Sequence, residues 1–369
     1  MSNWVFRENN LDLIRLLAAA QVAVLHTAEF MFADKTDTLF FDFLRLFPGV
    51  PIFFFISGYL ISKSYEVSPT LGIYSINRTL RIFPALIAVV FINILMVWST
   101  GYLTDSGASF KDVALLFFAK ISFLQFYNPD FMRAFGDGVL NGSLWTICVE
   151  LQFYILTPLL YLLFSKNRKL KNLTLIILIL IFMFLNRLLY NLAEEYSHEI
   201  WWKLFKVSFA PWFYMFLTGV FIQRNFEGIS KYIKKIPLAP LLLIYVIATY
   251  FALKAGITFG NSISPYIFLL VVLVIFRMAY FKPSIFGGIL KGNDISYGIY
   301  IWHMVIVNQF LYYGIRDEYW HALLAIIITT LLALASWFFI EKPSLNHKKF
   351  TIKQLGLRKT MKANKGKLH

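Results

Sequence analysis

The chain of 369 residues holds one cysteine, Cys148, which excludes an internal disulfide framework and a cysteine-built metal cluster. Cys148 is expected to pack as a small residue. Charge is scarce too, at 15% of the residues, and no Gly/Ser/Pro linker, low-complexity tract or internal repeat divides the chain into separate units. Six histidines are present, but no two stand at ligand spacing beside carboxylates, so no metal site is expected. The glycines of "GGILKGN" at 287–293 lack the strand, spacing and helix of a phosphate loop and read as a tight turn. Acidic residues number 20 against 35 basic ones, a net charge of +15, yet the basic tail beginning at His347 lacks aromatic interleaving and any nucleic-acid-binding pattern. No nucleic acid partner is expected.

What is abundant is apolar surface: 59% hydrophobic residues, 18% aromatics and a mean hydropathy of +0.64, all beyond a water-soluble chain of this length. The fold class is therefore an all-α polytopic membrane protein. Crossing roughly 30 Å of hydrocarbon takes about 20 helical residues. Apolar runs of that order recur near 11–31, 45–62, 82–100, 144–163, 173–191, 204–222, 237–254, 264–281, 295–313 and 321–340, which predicts ten transmembrane helices. The segment 111–127 is shorter and carries Lys111, Asp112 and Lys120, so it reads as a re-entrant or interfacial helix in an outer loop. With that assignment the inner loops and both termini collect 23 of the 35 basic residues, which places N and C termini in the cytosol and the inner loops against anionic membrane lipids. The first apolar stretch carries ionisable side chains and reads as a first span, not a cleavable leader. The chain divides into a membrane core, 1–345, and a basic cytosolic tail, 346–369.

The first span, "LDLIRLLAAAQVAVLHTAEF", holds Asp12, Arg15 and His26, each costly in lipid unless compensated. Arg15 and His26 are eleven residues apart, which puts them on one helix face about 16 Å apart along the axis. Asp12, one turn before Arg15, is the expected partner of that guanidinium. A second intramembrane acid, Glu150, falls at nearly the same depth as His26, so each is a candidate partner for the other. A carboxylate that accepts from one imidazole nitrogen fixes the tautomer and makes the other nitrogen a better base.

These pieces resemble the integral-membrane acyltransferase family 3. "LDLIRLLAAAQVAVLH" matches its opening element, "FFFISGYLI" at 53–61 its Ser-Gly element, "RTLRIFPAL" at 78–86 its basic segment and "GSLWTICVELQFY" its Trp-and-Glu element. "ISYGIYIWH" at 295–303 and "IEKP" at 340–343 match the closing elements. The resemblance covers about residues 8–345 and implies a bacterial inner-membrane enzyme that moves an acyl group, by default acetyl, from acyl-CoA to a hydroxyl of a surface saccharide, free or lipid-linked. Many members append a soluble esterase-like domain, which does not appear in this sequence. Carried onto this chain, the pattern implies His26 and Glu150 as catalytic residues. Arg15, Arg78 and Arg81 become candidates for the phosphates of acetyl-CoA, a donor substrate with no resident cofactor beside it. Asp12, Ser57, Trp145, Tyr297 and His303 are candidate lining residues, Ser57, Trp145 and Tyr297 among them as oxyanion donors. General-base catalysis by His26 and an acyl-histidine intermediate both stay open. The rival class is a multi-pass transporter or flippase of a lipid-linked saccharide, which would also bury ionisable groups around a cavity.

Overall fold

The computed structural model describes residues 8–67, 70–164 and 167–347, and among these the regular structure is helical with no strand. The principal helices are α1 (Leu11–Met31), α2 (Leu39–Leu46), α3 (Gly49–Val67), α4 (Leu71–Ser99), α5 (Phe110–Lys120), α6 (Trp145–Leu162), α7 (Arg168–Asn191), α8 (Phe213–Arg224), α9 (Leu238–Lys254), α10 (Pro265–Ala279), α11 (Ser296–Tyr312) and α12 (Tyr319–Ser336). A π-helical turn, Trp337–Glu341, continues α12.

Each of the ten apolar runs contains a helix, but the lengths differ from expectation. Among the described residues six helical stretches are long and apolar enough to cross a membrane, and seven if the pair Phe226–Ile233 and α9, bent by 92°, counts as one span. The runs at 204–222, 264–281 and 295–313 yield α8, α10 and α11, of 12, 15 and 17 residues. At 1.5 Å per residue α8 covers about 18 Å, well short of the hydrocarbon thickness. A hydropathy window registers a short helix enclosed by other helices and a lipid-facing span alike, because both are apolar. Segment 111–127 overlaps the eleven-residue α5, opened by a capping box between Ser109 and Asp112. Its Leu116 packs with Val97, Leu103, Met132, Phe135 and Leu140 in a separate apolar cluster. Of the tail 346–369, residues from 348 onward lie outside the described residues.

The interior is organised around α11, in which every residue from Ser296 to Gln309 is buried. A helix apolar on all sides belongs inside a bundle, and α11 packs against α1, α4 and α12. Asn10 anchors the start of α1: its side-chain amide donates to the carbonyls of Met278 (2.9 Å), in the last turn of α10, and Phe281 (2.7 Å), just past its end. Gln21, midway along α1, donates to the Leu44 carbonyl (3.1 Å) and accepts from Gly49 N (2.9 Å), clamping the break between α2 and α3.

Helix α3 crosses α8 at close range. A Cβ at Gly58 would run into the Phe216 carbonyl oxygen, and one at Gly219 into the Phe55 carbonyl oxygen. The two glycines face each other's backbones, the device by which membrane helices gain contact without a hydrophobic driving force. Gly58→Ala is therefore expected to cost at least about 3 kcal/mol, because the obstacle is backbone that cannot rotate away. The check is the folded yield by size-exclusion chromatography in detergent; a Gly58→Ala protein as monodisperse and heat-resistant as wild type would refute the crossing.

Candidate functional site

The site is strung along α1 and α11, which are joined at two levels. At the lower level Arg15 from α1 and Arg81 from α4 both donate to Asp294 Oδ2, just before α11. The other oxygen, Oδ1, accepts from Ser296 N (3.2 Å) and from Ser296 Oγ, so the same carboxylate caps α11. Burial alone would push the Asp294 carboxyl up, but the guanidiniums of Arg15 and Arg81 and the Ser296 donors outweigh it and hold the group well below the usual carboxylate value.

Arg78 stands apart from this knot. Its guanidinium lies 5.5 Å from the Tyr154 ring, its Nη2 reaches Ser64 Oγ at 3.4 Å, and its buried Nε has no hydrogen-bond partner. Asn77 Oδ1 is likewise buried and unpartnered. Arg15, Arg78, Arg81 and Asn77 line a basic chamber of about 240 Å³ whose wall also includes Ser57, Glu150, Tyr154 and Tyr297. A narrower chamber of about 40 Å³ adjoins it and shares Arg15, Ser57, Glu150 and Tyr297, adding Phe53, Thr146 and Tyr300. Glu150 is at their junction, where its Oε1 accepts from Ser57 Oγ (3.0 Å) and Tyr154 OH (2.6 Å). The Tyr297 hydroxyl donates to the Ile82 carbonyl (3.2 Å).

The upper level is a pair of imidazoles. His26 Nδ1 lies 3.0 Å from His303 Nε2, with ring centroids 5.2 Å apart. His303 is fully buried, whereas His26 keeps part of its surface open. Tyr300, which lines the narrow chamber, packs edge-on against the His303 ring at 5.8 Å. Its hydroxyl is fixed by Thr146 Oγ1 (2.7 Å) and the Ser143 carbonyl (3.2 Å).

A family model described as an acyltransferase domain matches residues 8–341, nearly the whole chain. The chain belongs to the integral-membrane acyltransferase family 3. Among its relatives, "Nodulation protein 10" of Rhizobium leguminosarum bv. viciae is 30% identical over 91% of this chain and 93% of that protein. The "O-acetyl transferase" of Shigella phage Sf6 is 29% identical over 91% and 96% of the two chains. A "Probable poly-beta-1,6-N-acetyl-D-glucosamine export protein" of Staphylococcus aureus strain MSSA476 is 24% identical over 78% of this chain and 77% of that one. No solved structure matches the chain.

Set on the acyltransferase, most of the residues expected from the sequence fall into two groups. Arg15, Arg78 and Arg81 share the basic chamber with Ser57, Glu150 and Tyr297. His26 and His303 share the dyad. Two expected pairings are corrected. Glu150 does not hold His26, because α6 packs on α3 while α11 packs on α1, so α11 supplies the imidazole's partner and Glu150 bonds Ser57 and Tyr154 instead. Asp12 does not pair with Arg15, because Asp12 is exposed on α1 while Arg15 turns into the bundle toward Asp294. Trp145 packs on Trp212 at 5.3 Å and lines neither chamber. Asp294 is the residue the sequence reading missed; its one signal was an Asp two positions before a Ser at the start of an apolar run, a helix-capping pattern.

Asp294→Asn leaves two largely buried guanidiniums without an anion, a loss of about 3–5 kcal/mol. Asp12→Asn should change stability by less than about 0.5 kcal/mol. Because the folded Asp294 carboxyl titrates below the unfolded one, its contribution is complete above the ordinary carboxylate range and fades as pH falls through it. Thermal unfolding of the acyltransferase in detergent at pH 7 and pH 3 is the check: the gap between wild type and Asp294→Asn should shrink at the lower pH.

Proposed function

We propose that this acyltransferase takes an acyl group, acetyl by default, from acyl-CoA on the cytosolic side of the bacterial inner membrane and delivers it to a hydroxyl of a cell-surface or lipid-linked saccharide. The observation that carries this reading is the wall the two chambers share: Arg15, Ser57, Glu150 and Tyr297 line both the basic chamber and the small one, and Tyr300, on the small chamber's wall, packs against His303. Guanidiniums offer planar, bidentate pairing to phosphate, so Arg15, Arg78 and Arg81 hold the phosphates of CoA. The neutral pantetheine arm then extends along α1 over the roughly 16 Å to His26. Glu150, an acid at the junction, repels a phosphate that would slide past the arginines and leaves the throat to the neutral arm. His26 takes the proton from the acceptor hydroxyl, the oxygen attacks the thioester carbonyl, and the proton passes to the departing CoA thiolate.

The topology that goes with this reading has ten spans, both termini cytosolic, residues 1–345 as the membrane core, 346–369 as a basic tail and 111–127 as an outer re-entrant or interfacial segment. One geometric fact supports the parity. From Arg15 to His26 on α1, and from Asp294 to His303 toward and along α11, the chain runs the same way between the same two levels. Two parallel spans need an odd number of crossings between them, and the ten-span reading places seven there.

A second reading, saccharide export without group transfer, is favoured by the name of the staphylococcal relative, a probable export protein. Purified protein with acetyl-CoA and saccharide acceptors separates the two. Transfer predicts acceptor-dependent release of free CoA thiol that falls about 10³-fold in His26→Ala. Arg78→Gln, which leaves the Asp294 knot intact, should raise the donor KM about 10-fold or more with kcat little changed. Absence of thiol release from wild type across acceptors, with saccharide moved across proteoliposomes, would establish export.

A further inference from the structure

We infer that His303 is the positioning residue of His26 and fixes it as the tautomer with its proton on Nδ1, leaving the Nε2 lone pair free to act as the base. The inference rests on the reading of His26 as the group that receives the acceptor's proton, and it replaces the carboxylate partner the sequence suggests.

The argument runs through one carbonyl. His303 Nδ1 lies 3.2 Å from the Ile299 carbonyl oxygen, one turn back on α11. A carbonyl oxygen only accepts, so Nδ1 must carry the proton. A neutral imidazole carries one N–H, which leaves His303 Nε2 as a lone pair. That lone pair is 3.0 Å from His26 Nδ1, and the contact is a hydrogen bond only if His26 Nδ1 donates. His26 Nε2 is then unprotonated, and among the described residues it forms no hydrogen bond, so it is available to substrate. The opposite assignment would set the lone pair of His303 Nδ1 against a carbonyl lone pair in a fully buried place.

Both rings stay neutral for a structural reason. Among the described residues neither His26 nor His303 forms an ion pair, and two imidazoliums at this separation would repel each other in a dry interior. The His303 ring cannot swing away, because Tyr300 lies edge-on against it and is itself tied to Thr146 and Ser143. A neutral partner orients the base without placing a permanent anion deep in the bundle. The ring that orients is also the more deeply buried of the two, as an orienting group should be.

The test uses full-length protein labelled with 15N-histidine in nanodiscs, the His26 resonances being assigned by their loss in His26→Ala. The expected wild-type spectrum has His26 protonated on Nδ1 and bare on Nε2. His303→Gln can offer its amide oxygen close to the position of Nε2, so it should keep that tautomer and a kcat within about 10-fold of wild type. His303→Phe keeps the ring's bulk without the acceptor; it should lose the tautomer and about 100-fold or more in kcat, with donor KM unchanged. A wild-type His26 protonated on Nε2 overturns the inference, as does a His303→Phe enzyme with wild-type kcat or a fall in kcat equal in the Gln and Phe variants. If His303→Phe does not fold, the wild-type spectrum decides. If His26→Ala retains transfer, it is the base assignment that fails, and the spectrum still judges the tautomer separately.

Discussion

Asp294 is the interaction on which the arrangement turns. Its carboxylate receives Arg15 from α1 and Arg81 from α4 on one oxygen and caps α11 with the other, so three helices meet at one buried anion. Two guanidiniums could not be held so far inside the bundle without it, since an isolated buried cation costs more than packing returns. The consequence reaches the far end of the same helices. With α1 and α11 pinned together below, eleven residues of rise on one and nine on the other bring His26 and His303 to within a hydrogen bond above. The dyad's geometry is set by a salt bridge two to three turns away.

The neighbouring helices follow a related logic. Ser57 and Gly58 are adjacent in sequence and point to different tasks: Gly58 lets α3 touch the backbone of α8, and Ser57 donates to Glu150. The close crossing fixes the rotation of α3, and that rotation aims the serine at the junction of the two chambers. Loss of the glycine would therefore disturb a hydrogen bond on another face of the same helix.

Much of this was legible before any coordinates. Helical periodicity put Arg15 and His26 on one face at a definite spacing, and the cost of ionisable groups in lipid marked them, Glu150 and His303 as residues with work to do. Depth was readable because it is a count of residues along a helix; lateral neighbourhood was not, because it depends on which helices pack together. Hence Glu150 was matched to His26 by level and missed by position, while His303 was seen as a lining residue and not as the partner. Asp12 looked like the counterion of Arg15 because i,i+3 proximity is local, yet the real counterion is 279 residues away in a segment that reads as a turn. Helix length was not legible either: the run at 204–222 is as apolar as the others, yet its helix α8 has 12 residues, most of them buried.

The distribution of charge along α1 constrains the chemistry further. Acidic and basic side chains gather at the Arg15 level and at Glu150, where Asp294 receives Arg15 and Arg81 while Glu150 accepts from Ser57 and Tyr154, and among the described residues the dyad above forms no ion pair. Among the described residues no carboxylate bonds His26, whose ring partner is His303, while Glu150 accepts from Ser57 and Tyr154. With a thioester donor, as proposed, an imidazolium on His26 would be tolerable only briefly, while the leaving thiolate is close enough to take the proton. On the proposed acyl-CoA reading, proton removal from the acceptor and protonation of the departing sulfur would belong to one tightly linked passage, in which the leaving thiolate brings the counter-charge that the protein does not supply.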